Sequence, residues 1–179
     1  MVRGNYLGTE LVKNPLFARY FARCGARNEE RGGRELRREL LAGLSGRAME
    51  VGAGTGLNFP HYPVSVREVV AVEPEPYLRG RAVEAAAAAG VPIRVVAGTA
   101  AELPAADGEF DAVVISGLLC SVSDAPAALA EFARVLRPRG HLVIADSRMD
   151  YRLVNPLPDG GYGYMRHYPR ARRSMGCGR

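Results

Sequence analysis

An α/β domain built on a doubly wound parallel sheet is the fold that this sequence predicts. From residue 47 onward, short apolar runs alternate with longer segments whose apolar residues recur at helical spacing. Several of these runs contain no polar residue, which is typical of strands that helices cover on both faces. Strands separated by helices pair in parallel through right-handed crossovers. With 179 residues, 47% of them hydrophobic, we expect one domain with a buried core.

The pattern predicts five strands and two crossover helices. The strands are expected at residues 48–51, 69–72, 93–96, 112–115 and 142–145. Arg94 gives the third run an alternating pattern, as in an edge strand. One helix is predicted over residues 76–89, closed by Gly90 and Pro92, and the other begins after Asp124, which can cap it.

Two further helices are expected before the sheet, where they would cap it. Asn14 and Pro15 form a typical helix start, and Gly25 can end that helix. A second helix is predicted to begin at Asn28. The first helix has one apolar face, which we expect to lie mainly in the core: Leu16, Phe17, Tyr20, Phe21 and Cys24.

The net charge of +5 comes from the last part of the chain. Residues 147–179 hold seven Arg and two Asp, so residues 1–146 are neutral overall. A neutral body does not favour a nucleic-acid partner. We therefore expect a domain over residues 1–146, followed by an irregular, Arg-rich tail that is poorly ordered beyond about Leu157.

The three cysteines are odd in number and widely spaced, which predicts neither a disulfide framework nor a metal site. No apolar stretch is long enough for a transmembrane helix, and no signal-peptide pattern is present in the first residues. We therefore expect a reduced, cytoplasmic protein without a metal.

A glycine-rich loop follows the first strand directly. Glycines at alternate positions allow a tight turn and the close approach of a ligand, here at Gly52, Gly54 and Gly56. The third glycine comes one residue too early for a dinucleotide fingerprint, and no Lys-Ser or Lys-Thr pair indicates a phosphate loop. Glu50 would repel a pyrophosphate and suits a cationic ligand.

Together with the segments 56–63, 119–122 and 136–140, this loop resembles the class I S-adenosylmethionine-dependent methyltransferases. The resemblance covers roughly residues 14–146 and is to the small-molecule branch that includes quinone-biosynthesis and thiol methyltransferases (methyltransferase type 11). It implies a Rossmann-like sheet with strand order 3-2-1-4-5. It also implies a chain truncated at the C-terminus, without the last two strands of the family. Arg139 stands where the family usually has Gly.

The resemblance also implies the binding roles of individual residues. The glycine loop and Glu50 would hold the methionine end of S-adenosyl-L-methionine, and Glu73 would accept both ribose hydroxyls. Thr99 and Ala100 would lie at the adenine edge, and residues 116–118, beginning with Ser116, would line the methyl-transfer pocket. No catalytic residue is assigned, and His61 is more typical of a turn histidine than of a base.

We expect methyl transfer to a small, apolar acceptor such as a thiol, a phenol or quinone, or a lipid amine. Peripheral membrane contact is compatible with such acceptors, and an apolar fifth strand at the sheet edge would favour a homodimer. The alternatives are a catalytically impaired, cofactor-binding remnant of such an enzyme and, less favoured, a nicotinamide-dependent oxidoreductase.

Overall fold

In the part of the chain that the structure describes, the sheet has six strands in the order β3-β2-β1-β4-β5-β6, and their pairings are parallel. A computed structural model describes residues 15–145 and 163–164. The predicted order 3-2-1-4-5 is confirmed for the first five strands. The strands are β1 (Gly46–Val51), β2 (Val66–Val72), β3 (Ile93–Val96), β4 (Phe110–Ser116), β5 (Leu136–Ala145) and β6 (Gly163–Tyr164).

Among the described residues, four α-helices accompany the sheet: α1 (Pro15–Asn28), α2 (Arg34–Leu41), α3 (Pro76–Ala86) and α4 (Ala125–Val135). Alternate residues of the central strands point to opposite faces, so two apolar cores form. One core includes Leu41 of α2 and Ala82 of α3, and the other includes Phe132 of α4. The central strands are therefore covered on both faces, as their apolar runs predicted.

The helix α1 differs from its prediction in length and in burial. It continues through Gly25 to Asn28, and a π-helical turn over Glu29–Gly33 links it to α2. Its apolar side chains are exposed to a large extent, at 74% for Leu16 and 55% for Tyr20. The expectation that this face lies mainly in the core is wrong, because α1 packs through small residues such as Ala18, which is buried.

The outer edge of β5 also differs from its prediction. Leu142 and Val143 pair with Gly163 and Tyr164 of β6, so this edge is not open along its whole length. A strand of two residues has no apolar period, so the sequence could not predict it. The rest of the expected irregular tail lies outside the described residues, and the homodimer through β5 stays a prediction, as does the division into a domain and a tail.

Two further findings concern the helices. Cys24 of α1 is disulfide-bonded, which the wide spacing of the cysteines did not predict, since spacing along a chain does not report distance in the folded state. Within residues 15–145 and 163–164, no helix combines the length and the apolar character that crossing a bilayer requires.

Candidate functional site

The glycine loop lies at the carboxyl end of the sheet, between the ends of β1 and β2. Main-chain N–H groups of Gly52 and Ala53 donate to the carbonyl oxygen of Val72, at 2.9 and 3.1 Å. Gly52 and Gly54 have positive φ angles of 72° and 58°, which side chains rarely adopt. A Cβ atom at Gly52 would lie 2.8 Å from the Leu118 side chain. The sequence therefore needs glycine here for both conformation and space.

Glu73 follows β2 directly and is 5% exposed. Its Oε2 accepts a hydrogen bond from the main-chain N–H of Gly54 at 2.8 Å, and its Oε1 accepts one from that of Glu75 at 2.9 Å. Burial raises the pKa of the Glu73 carboxyl above its ordinary value, against the effect of these two hydrogen bonds. Each carboxylate oxygen has two lone-pair sites, so each keeps one further acceptor position.

Glu50 lies near the end of β1 and is also buried. Its Oε1 accepts from Asn58 Nδ2 at 2.9 Å, and its Oε2 accepts from the Tyr62 hydroxyl at 2.8 Å. Burial raises the pKa of Glu50 to about 7, and the neighbouring Glu73 carboxylate adds to the rise. Two buried carboxylates at one end of the sheet favour a cationic ligand over an anionic one.

A polar chain that the sequence analysis missed connects Glu50 to the cap helices. The Arg37 guanidinium of α2 donates to Asn58 Oδ1 at 2.6 Å and to Glu29 Oε1 at 2.6 Å. Asn58 thus links Arg37 to Glu50. Asn58 and Tyr62 lie in the segment 56–63 that the resemblance singled out, whereas no sequence signal distinguishes Arg37 from the other arginines of the helix.

The remaining predicted site residues lie on neighbouring strand ends. Ser116 is the last residue of β4 and is half-buried, and Thr99 follows β3 at an exposed position. Ala100, beside Thr99, is buried in the core under α4. The structure therefore places all eight predicted residues at or beside the carboxyl end of the sheet, while their binding roles stay predictions.

His61 lies on the other side of the glycine loop. Its Nε2 is 3.6 Å from Glu29 Oε2, and its side chain is largely buried. It lines a cleft of about 460 Å³ together with Arg34 and Arg38 of α2 and residues 55–57 of the loop. Glu73 and Ser116 do not line this cleft, so His61 faces a different opening from the one at Glu73 and Ser116, and its role stays a prediction.

A family model described as a methyltransferase domain matches residues 49–144, which is more than half of the chain. The chain belongs to this methyltransferase family. The matched residues begin in β1 and end in β5, so they contain every strand end described above.

Individual methyltransferases resemble parts of the chain. It is 38% identical over 100 residues to the demethylmenaquinone methyltransferase of Renibacterium salmoninarum, covering 56% of this chain and 40% of that protein. It is 39% identical over 114 residues to the human thiol S-methyltransferase TMT1A, covering 56% of this chain and 43% of that protein. The chain thus spans less than half the length of these two relatives.

Solved methyltransferases share the fold. The crystal structure of a SAM-dependent methyltransferase from Thermotoga maritima, described as a possible histamine N-methyltransferase, matches with a TM-score of 0.53 and 28% identity. The match covers 70% of this chain and 57% of that one. The family and this likeness imply S-adenosylmethionine as the cofactor.

The residues at the carboxyl end of the sheet fit this cofactor. The further acceptor position on each Glu73 oxygen suits a ribose diol, and the pair of buried carboxylates suits the positive charge of a sulfonium and an ammonium group. A Cβ atom added at Gly54 would contact the Phe21 ring of α1 at 3.6 Å, so α1 closes over the loop from outside. Phe21 and Leu118 therefore border the space above the glycine loop.

Proposed function

We propose that this chain binds S-adenosylmethionine at Glu73 and the glycine loop and transfers its methyl group to a small, apolar acceptor. The observation that carries the proposal is the hydrogen bonding of the Glu73 carboxylate. Each of its oxygens accepts one main-chain hydrogen bond and keeps one acceptor position. The two main-chain donors fix the orientation of the carboxylate before any ligand arrives, which reduces the entropy lost on binding.

When bound, the cofactor would supply a methyl group on a positively charged sulfur. The acceptor would bond to the methyl carbon in line with the S–CH3 bond, which breaks and leaves neutral S-adenosylhomocysteine. The chain's own task is to position the two reactants. Proximity and orientation can supply roughly 7–11 kcal/mol of a barrier in favourable systems. An acceptor that binds as a thiolate is already deprotonated, so its transfer step needs no catalytic base. Phe21 and Leu118, which border the loop, supply the apolar surface that an apolar acceptor requires.

The acceptor class is proposed by analogy with the relatives, one of which is named for a quinone precursor and the other for thiols. A radiolabelled-methyl assay across alkyl thiols, phenols and phosphatidylethanolamine separates the three classes. Binding of the cofactor without methyl transfer to any of them would instead support a catalytically impaired remnant.

Calorimetric titration with S-adenosylhomocysteine tests the binding site itself. We expect Glu73→Gln to weaken binding by about tenfold, because an amide replaces one acceptor oxygen and hydrogen bonds to charged groups are worth about 1.5–3 kcal/mol. Glu75→Gln is the matched control, since Glu75 is equally buried but caps α3 by accepting from the N–H of Leu78. Equal binding by both variants, or binding of NADH in place of S-adenosylhomocysteine, would refute the proposal.

A further inference from the structure

The outward face of α1 combines positive charge with exposed apolar side chains. Five residues at helical spacing form this basic face, and all five are exposed: Leu16, Arg19, Tyr20, Arg23 and Arg27. The helix contains no acidic residue, so no charge on α1 offsets the three arginines. The opposite side of α1 packs on the domain through Ala18 and against the loop through Gly25 and Phe21.

Two large apolar side chains on this face are exposed next to each other. Leu16 is 74% and Tyr20 is 55% exposed, and they lie one helical turn apart. Arg19 lies over the ring of Tyr77 of α3 at 5.6 Å, so a further half-exposed aromatic residue adjoins the basic face. An exposed apolar pair flanked by arginines is the combination that helices lying on a bilayer surface present.

We propose that the basic face of α1 docks on the surface of an anionic lipid bilayer. Leucine and tyrosine side chains insert at the level of the headgroups, while arginines extend toward the lipid phosphates. Charge complementarity selects this partner, because three arginines without an acidic neighbour on the helix match a negative surface. The inference deepens the proposed function: the inner side of α1 contacts the glycine loop, so docking would place the site next to a source of apolar acceptors.

Vesicle sedimentation with the full chain, without cofactor or acceptor, tests the docking separately from methyl transfer. We expect binding to vesicles of equal parts phosphatidylcholine and phosphatidylglycerol, and little binding to phosphatidylcholine alone. Each arginine removed from the basic face should weaken binding about fivefold, so Arg23→Gln with Arg27→Gln should weaken it about 25-fold. Arg67→Gln is the matched control, because Arg67 is 75% exposed near the opposite end of the sheet.

Tryptophan fluorescence gives a second readout that does not depend on weakened binding. The chain contains no Trp, so Tyr20→Trp introduces a single tryptophan, on the basic face, that can be excited selectively over the tyrosines. Its emission should shift to shorter wavelength when anionic vesicles are added, whereas Val64→Trp, at a 92% exposed position before β2, should show no shift.

Three results would overturn the inference. The first is equal binding to both kinds of vesicle, and the second is an equal effect of the α1 and Arg67 substitutions. The third is the absence of binding to anionic vesicles together with a dimer in analytical ultracentrifugation that Leu16→Asp converts to a monomer. A second copy of the chain would then cover the basic face. Loss of methyl transfer with vesicle binding intact would count against the proposed function alone.

Discussion

At the carboxyl end of the sheet, Glu50 and Glu73 are buried and accept hydrogen bonds from neutral donors, whereas at the amino end Asp111 accepts from arginines. Asp111 Oδ1 accepts from Arg137 at 2.5 Å, and its Oδ2 accepts from the main-chain N–H of Arg47 at 2.7 Å. Glu109 is likewise paired with Arg47.

This difference appears in the pKa values of the two sets. Burial raises the pKa of both Glu50 and Glu73. Partial burial opposes the change at Asp111, but the Arg47 N–H and the Arg137 guanidinium lower its pKa. The acids at the amino end pair with arginines and hold strands together, whereas, among the described residues, no arginine is hydrogen-bonded to the carboxyl group of Glu50 or Glu73. Only the latter arrangement leaves charge for a cationic ligand to balance.

The largest effect should come from distorting the loop that donates to Glu73. Gly54→Val should abolish binding of S-adenosylhomocysteine, because a β-branched residue resists the φ of 58° and its side chain extends toward Phe21. Gly80→Val is the matched control, since Gly80 lies in α3 with open space around it. Normal binding by Gly54→Val would mean that the loop is only a turn.

The next largest effect is a pH dependence of the free energy of unfolding that comes from the burial of Glu50. Its pKa rises from 4.5 to about 7 on folding, so stability is greatest when the carboxyl is protonated and is lost as pH rises through this interval. With about 1.36 kcal/mol per pKa unit, the loss is about 3 kcal/mol. Urea unfolding from pH 4.5 to 8 should therefore show a falling stability of the native chain relative to Glu50→Gln. A constant difference between the two would show that Glu50 is not desolvated.

At the amino end, the corresponding change should affect stability and not binding. Asp111→Ala removes the acceptor of Arg47 N–H and of Arg137, which should cost about 1.5–2 kcal/mol, since water reaches this half-exposed site in part. Asp107→Ala is the control, because its pair with Arg134 is 80% exposed on the aspartate side and should contribute under about 0.5 kcal/mol. Weaker cofactor binding by Asp111→Ala, with folding intact, would contradict the separation of roles between the two ends.

The sequence predicted the carboxyl end better than the contacts around it. Strands and the glycine loop follow from local patterns: apolar runs such as residues 112–115, and glycines where φ is positive. The contact of Arg37 with Asn58 depends on how α2 lies over the loop, which no local pattern reports. Periodicity located the apolar residues of α1 but could not show that Leu16 and Tyr20 stay exposed, because coverage depends on the rest of the fold.

The smallest expected effect is a change in stability at Arg139, which lies near the amino end of the sheet. Within the described residues, Arg139 is the non-glycine residue with positive φ, at 64°, and it lies in the amino-terminal part of β5. Left-handed backbone costs a non-glycine residue roughly 1–2 kcal/mol, and glycine loses about 0.5–1 kcal/mol of extra chain entropy on folding. Arg139→Gly should therefore stabilise the chain by about 0.5 kcal/mol, a rise in melting temperature of about 1–2 °C. Arg139→Ala is the control, because it removes the same charge but keeps the backbone strain. A higher melting temperature for both variants would assign the effect to charge repulsion with Arg137 and Arg67. A higher melting temperature for Arg139→Gly alone would assign it to the backbone.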